Sequence, residues 1–362
     1  MISGDFNRDG KQDLAVATSG GQLLILLGNG DGTFATPVSY TLSAAATQLL
    51  AADVNGDSYP DVIALLSNGT FAVLFNSGNG SGGFASPVYY NCNGVDNLAV
   101  GDFFRNGRVH IAASRSYSGG VFIYENLGNG QFLERSTVGL GGTWWVAAAD
   151  LNADGYTDLV TVYNATDNIL LNNGAGAFAP PVPGNLNVNF NFVAVADVDG
   201  NGTPDLILTN DNLGGGITSW VNVLLNQGSA TFGTPISSQV QPTGLIGNPV
   251  VADLDGDGRP DLVAPNASGL ALLRNVGGGA FEQEDILLVA GPNGPSIATI
   301  DLKGDGHLSI VTPNPASGSN ALLLFTNTTP QVCGYAVTPS TAQFPSAGGT
   351  GKLNMTAASS CT

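Results

Sequence analysis

The chain has 362 residues, 51 of them glycine, and only 10% of its residues are charged, against about 25% in an ordinary globular protein. Lys and Arg number 10 against 28 Asp and Glu, a formal charge of −18, which repels nucleic acid and anionic lipid and attracts cations. So much glycine argues against a helical enzyme, no apolar run reaches the roughly 18 residues of a transmembrane helix, and a single core seldom grows beyond about 250 to 300 residues, which leaves two domains or a repeat array.

Met1 leads directly into Ile2-Ser3-Gly4-Asp5 without the charged and apolar regions of a signal peptide, and the expectation is a start lying further upstream. From there one phrase recurs. Asp5 to Asp13 (DFNRDGKQD), Asp53 to Asp61 (DVNGDSYPD), Asp150 to Asp158 (DLNADGYTD), Asp197 to Asp205 (DVDGNGTPD) and Asp253 to Asp261 (DLDGDGRPD) share the pattern D-x-[DN]-x-[DN]-[GS]-x-x-D, and Asp102 to His110 (DFFRNGRVH) and Asp301 to Ser309 (DLKGDGHLS) are decayed copies. The first aspartates are spaced by 47 to 56 residues, so the chain holds seven units.

Each unit carries the same predicted elements. A short apolar strand precedes the loop, as at Leu49–Ala52, and a second follows it, as at Val62–Ala64. A third, such as Leu23–Leu27, ends in a glycine-rich turn and a phenylalanine (Phe34, Phe84, Phe132, Phe178, Phe232, Phe281), and a fourth follows, in most units after an F-x-x-P step. Four short strands per unit with glycine turns describe a propeller blade. The residue before the first aspartate is Gly4, Ala52, Gly101, Ala149, Ala196, Ala252 or Ile300; six of the seven are tiny, as innermost strands crowded around one axis require. The seventh unit stops after its third strand at Leu322–Phe325, so its outer edge is expected to be filled by residues near Val332 to Val337 or by a strand from upstream.

These units resemble the FG-GAP/VCBS repeats of integrin-α-like seven-bladed β-propellers, and the resemblance covers residues 1–329. It implies an all-β fold of seven four-stranded blades. Residues 330–362 then form a linker and the truncated opening of a β-sandwich-like, immunoglobulin-like module, in which Cys333 and Cys361 are a possible disulfide while Cys92 stands alone.

In the loops, hard oxygen ligands at positions 1, 3 and 5, a backbone carbonyl at 7 and a carboxylate at 9 suit Ca2+. That nominates Asp5, Asn7, Asp9, Lys11 and Asp13; Asp53, Asn55, Asp57, Tyr59 and Asp61; Asp150, Asn152, Asp154, Tyr156 and Asp158; Asp197, Asp199, Asn201, Thr203 and Asp205; and Asp253, Asp255, Asp257, Arg259 and Asp261. About five ions are expected, none in the third and seventh loops, where Phe104 and Lys303 stand at a ligand position. The alternative is an Asp/Asn/Gly turn capped by its own side chains. Against it, 19 of the 28 acidic residues occupy loop positions 1, 3, 5 and 9, and carboxylates that close repel one another unless a cation lies between them. Glycine at position 6 permits the sharp turn; Ser58 replaces it in the second loop.

No catalytic constellation is visible: the nine acidic residues outside the loop positions form no recognisable pair, and His110 and His307 sit in separate decayed loops. The resemblance implies a ligand at the face opposite the loops, where Gln48, Asn97, Trp145, Phe192, Asn248 and Ser296 stand five residues before the first aspartates. The alternative is that Trp145 and Phe192 pack between blades. The expectation is therefore a secreted or cell-surface, calcium-binding adhesion or binding module, part of a longer chain, taking an extracellular protein or carbohydrate, with no nucleic acid and no membrane insertion. A propeller domain of a secreted polysaccharide lyase or hydrolase, and a structural spacer, are the alternatives.

Overall fold

The computed structural model describes residues 1–327 apart from 93, 117–118, 129, 141, 164–165, 184–191, 212–218, 242–244, 246, 267–268, 289–295 and 315–321, together with 335–338 and 354–357. It is all strand, with no helix among the described residues. Consecutive strands pair antiparallel, giving six four-stranded sheets and a three-stranded seventh. Blade one runs Ile2–Gly4, Asp13–Ala17, Gln22–Leu26, Val38–Thr41; blade two Ala46–Ala52, Asp61–Leu66, Thr70–Leu74, Val88–Asn91; blade three Asn97–Gly101, His110–Arg115, Gly120–Asn126, Phe132–Val138. Blade four runs Trp145–Ala149, Asp158–Tyr163, Thr166–Leu170, Val182–Pro183; blade five Phe192–Ala196, Asp205–Asp211, Ser219–Leu224, Ile236–Val240; blade six Val250–Ala252, Asp261–Asn266, Gly269–Gly277, Ala280–Leu288; blade seven Ala298–Ile300, Ser309–Pro313, Leu322–Phe325.

The core lies between blades. Seven buried apolar clusters each join one blade to the next, the last joining seven to one through Leu14, Val16 and Leu26 against Ile300, Leu302 and Val311. Period-two alternation makes this possible. In Asp261–Asn266, buried along its whole length, Val263 enters the cluster shared with blade seven while Leu262 and Ala264 enter the one shared with blade five. Middle strands covered on both faces must be apolar throughout, hence their continuous Val/Ile/Leu/Ala runs.

Where the fourth strand begins depends on proline. In blades one, two, four and five the F-x-x-P step delays the strand to the residue after Pro37, Pro87, Pro181 and Pro235, and the phenylalanine makes a single bridge to the end of the third strand instead. Phe132 and Phe281, followed by no such proline, lie within the ladder itself; proline has no N–H to contribute to it.

The ring closes where blade seven meets blade one: the Ser3 hydroxyl donates to the Thr299 carbonyl at 2.8 Å and the Gly32 N–H to the Leu302 carbonyl at 3.3 Å. Of the residues near Val332 to Val337 expected at the outer edge of blade seven, with an upstream strand as the alternative, 332–334 fall outside the described residues and the described ones do not pair with that edge. Tyr335–Thr338 pairs with Asn354–Ala357 in a separate hairpin, and among the described residues blade seven has three strands. Cys333 and Cys361 fall outside the described residues, and Cys92 is a buried free thiol whose pKa burial pushes up to about 11.

Candidate metal loops

Each acidic loop connects the first and second strands of its blade. The small residue before it pairs across the ladder with its ninth residue, as in Gly4↔Asp13, Ala52↔Asp61 and Gly101↔His110. At Gly101 the need for smallness is direct: a Cβ there would lie 2.6 Å from Thr157 Cγ2 of the next blade's loop.

Position 1 organises the turn. In all seven loops its carboxylate accepts the N–H of residue 6, and in most also that of residue 5: Asp5 from Gly10 (2.9 Å) and Asp9 (3.1 Å), Asp150 from Gly155 (2.8 Å) and Asp154 (3.2 Å), Asp301 from Gly306 (2.8 Å) and Asp305 (3.2 Å). The decayed loops keep this shape, so the shape alone does not report a metal. Residue 6 has positive φ in every copy, +73° to +84° for the glycines and +70° for Ser58, a conformation strained for any residue with a Cβ.

Position 9 is fully buried as Asp13, Asp61, Asp158, Asp205 and Asp261. Each carboxylate accepts the N–H of loop residue 2 and an N–H at the end of its blade's third strand, for instance Asp61 from Val54 (2.9 Å) and Asn76 (2.7 Å), or Asp261 from Leu254 (3.0 Å) and Asn275 (2.9 Å). Burial outweighs these bonds and pushes the carboxyls of Asp13, Asp61 and Asp158 up to about 6 and that of Asp261 to about 7, with the neighbouring loop carboxylates raising them further. Asp205 and Asp255 shift upward for the same reason. Buried carboxyls beside like charges gain most from a cation.

In the fifth and sixth loops, Asp197, Asp199 and Asp205, and Asp253, Asp255 and Asp261, bring three carboxylate oxygens within 4.8 Å of one another. Oxygens around one Ca2+, at about 2.3 to 2.6 Å, are separated by such distances. Asp255 is 5% exposed and its Oδ2 has no hydrogen-bond partner; a buried carboxylate oxygen left bare is costly unless a cation meets it. The donor set, all hard oxygen, fits calcium. In the first, second and fourth loops position 3 is Asn7, Asn55 and Asn152, each accepting the N–H of the position 5 aspartate at 3.0 Å. The position 5 residues accept the N–H of Lys11, Tyr59, Tyr156, Thr203 and Arg259 at position 7. The Arg259 guanidinium also pairs with the Asp257 carboxylate.

The third loop is occupied by its own side chains. Phe104 packs on His110 with ring centroids 4.6 Å apart. His110, fully buried, takes over the duty of the ninth carboxylate: Nδ1 accepts the Asn126 N–H at 2.9 Å, which leaves the proton on Nε2, 3.0 Å from Asn106 Oδ1. Burial lowers its pKa, favouring this neutral form.

A set of residues outside the loop motif completes the arrangement. Asn76, Asn126, Asn172, Asn226, Asn275 and Asn327 stand at or just beyond the ends of the third strands of blades two to seven, and each Nδ2 donates to the carbonyl of loop residue 2 in the preceding blade: Phe6 (2.7 Å), Val54 (2.7 Å), Phe103 (3.0 Å), Leu151 (2.8 Å), Val198 (2.8 Å) and Leu254 (2.6 Å). In five of them Oδ1 accepts the N–H of a glycine two residues on. The signal was in the sequence as a recurring Asn-x-Gly, masked by the general abundance of both residues. Gly28 stands at this place in blade one.

On the opposite face, the side chain of Gln48 holds the backbone of Leu98 in the next blade, accepting its N–H at 2.7 Å and donating to its carbonyl at 2.9 Å. Buried Asn97 accepts the Val146 N–H at 3.1 Å. Trp145 and Phe192 are half-buried and meet each other, centroids 4.9 Å apart; Trp144, more exposed, meets the Tyr163 edge at 5.1 Å. Asn248 and Ser296 are exposed, the latter accepting a hydrogen bond from the Met1 amino group.

Seven radial sheets with an acidic hairpin loop at one end of each define a β-propeller built from repeats. The chain belongs to the family of FG-GAP-like repeat proteins, whose pattern matches residues 5–64, 106–161, 150–208, 197–264 and 253–312. No curated protein matches it. Among solved structures, it is similar to an Agrocybe aegerita lectin described as recognising non-reducing terminal N-acetylglucosamine, at 22% identity over 90% of this chain and 94% of that one, TM-score 0.58. It is also similar to BBS1N in complex with ARL6DN, at 10% identity over 89% and 90%, TM-score 0.60. At these identities the likeness is one of fold.

Proposed function

We propose that this propeller is a calcium-stabilised binding module that works outside the cell and holds a carbohydrate or protein ligand on the face opposite its acidic loops. The observation that carries the calcium reading is the sixth loop, where three carboxylates converge and the buried Asp255 Oδ2 has no partner. The first, second, fourth and fifth loops repeat its ligand pattern, for about five ions. Bound Ca2+ supplies positive charge between carboxylates that otherwise repel, and the chain's own turns hold those carboxylates in place. Extracellular modules bind calcium at about 0.1 to 1 mM, concentrations met outside the cell, and this supports the secreted or cell-surface location.

For the ligand, the support is the pair of aromatic contacts Trp145/Phe192 and Trp144/Tyr163 at the mouth, together with the lectin description of a structural neighbour. The exposed Trp144 indole suits the apolar side of a sugar ring, with half-buried Trp145 beside it. Equilibrium dialysis against about 10 mM calcium, well above that Kd range, should return about five bound calcium ions, and a glycan array should show binding that Trp144→Ala and Trp145→Ala weaken without a comparable loss of thermal stability. No calcium, or no bound glycan or peptide on a folded protein, would refute the respective half of the reading.

A further inference from the structure

The inter-blade asparagines link one acidic loop to the next. Asn226 Nδ2 donates to the Leu151 carbonyl (2.8 Å), in the peptide between Asp150 and Asn152 of the fourth loop, while its backbone N–H donates to Asp205 (2.7 Å), the ninth residue of the fifth loop. The Leu151 N–H in turn donates to Asp158 (3.0 Å), the ninth residue of its own loop. Two ninth-position carboxylates in neighbouring blades are thus joined by an unbroken hydrogen-bonded line. Asn275 repeats the link from Val198 (2.8 Å) to Asp261 (2.9 Å), and Asn76 from Phe6 (2.7 Å) to Asp61 (2.7 Å).

Elsewhere the line reaches a loop without a full ligand set. Asn126 ends on His110, and Asn172 begins from the Phe103 carbonyl of that same third loop. Ser309 stands at position 9 of the seventh loop, and Gly28 reaches Asp13 with its N–H but has no side chain to reach back. The complete loops therefore fall into a pair, one and two, and a triple, four to six.

We propose that these asparagines are positioning residues that couple the calcium sites, so that the ions enter as one pair and one triple instead of five independent ligands. The proposal rests on the reading of the loops as calcium sites. A cation in the fourth loop fixes Asp150 and Asn152, and hence the peptide of Leu151 between them. That carbonyl holds Asn226, whose N–H holds Asp205 already aimed. The fifth loop then has less conformational freedom to lose on binding, and its affinity rises. Linkage makes the effect reciprocal.

The test is a calcium titration of the whole metal-stripped chain by calorimetry and equilibrium dialysis, comparing wild type, Asp154→Ala, Asn226→Ala and the double variant. Among the described residues the hydrogen bonds of Asp154 stay within its own loop, so its replacement removes the fourth ion without cutting the line. The expected result is one ion lost and two of the remaining four bound about five-fold more weakly or worse, at the lower end of known couplings. In the Asn226→Ala background the same replacement should change the remaining affinities by less than about two-fold. Asp9→Ala serves as a second, independent arm should Asn226→Ala not fold: it should weaken one remaining ion and leave three unchanged. Loss of one ion with the other four affinities unaltered would overturn the coupling and leave the calcium sites standing. A wild-type chain that binds no calcium would overturn both.

Discussion

Replacing Asn76 by alanine tests whether the blades are held by the asparagine clasps or by apolar packing alone. Asn76 is almost fully buried and its Nδ2 donates to two carbonyls, Phe6 of the preceding blade at 2.7 Å and Pro60 of its own at 3.1 Å, while Oδ1 accepts the Gly78 N–H at 3.2 Å. Its backbone bond to Asp61 survives any substitution that keeps an N–H. A net hydrogen bond contributes about 1 kcal/mol, and a buried group left without its partner costs about 1 to 3 kcal/mol. Alanine strands two carbonyls, so the loss should be about 2 to 4 kcal/mol, with little from the shortened side chain itself. The control is Asn68→Ala, whose amide bonds to Ser43 and Thr70 at the exposed surface, and which should cost under about 0.5 kcal/mol. Urea unfolding followed by tryptophan fluorescence and far-UV circular dichroism, with calcium and with chelator, reads both. A shift for Asn76→Ala no larger than that of the control would refute the reasoning and show that the asparagine clasp adds nothing measurable to the adhesion between blades one and two.

Three further outcomes follow from the loop chemistry. Asp13, Asp61, Asp158 and Asp261 hold their protons more tightly folded than unfolded, so the metal-stripped chain should lose stability as pH rises from about 4 to 7; millimolar calcium should reverse this trend in thermal melts at pH 5 and pH 8, and a stripped chain more stable at pH 8 contradicts it. Ser58→Gly removes positive-φ strain of about 1 to 2 kcal/mol and adds about 0.5 to 1 kcal/mol of unfolded-state freedom, so a net gain of about 0.5 to 1 kcal/mol is expected in denaturant titration. His110→Ala should cost about 1 to 3 kcal/mol by orphaning the buried Asn126 N–H, while His110→Asp restores the acceptor; neither should change the metal count, because Phe104 still fills the loop.

The sequence by itself determined the number of blades, the strand order and the loop positions, because period-two apolar runs and a nine-residue aspartate pattern are local properties that repeat seven times. It also marked the third loop as altered, since Phe104 has no ligand oxygen. What it could not contain was which distant residues become partners. That Asn76 reaches the loop carrying Phe6 and that Gln48 grips Leu98 depend on how neighbouring blades pack, and that His110 stands in for a carboxylate depends on the Asn126 N–H that the adjacent strand of its own blade presents. The same holds for the burial of position 9: from the sequence all four side-chain ligand positions look alike, and only the tertiary structure shows that the five position 9 carboxylates are fully buried and tie each loop to its blade, while those of the turn are, Asp255 apart, more open to solvent. The edge of blade seven belongs to this second class as well: among the described residues Tyr335–Thr338 pairs with Asn354–Ala357 although Leu322–Phe325 is the nearer strand in the chain, so the choice of partner is set by packing and not by the shorter loop.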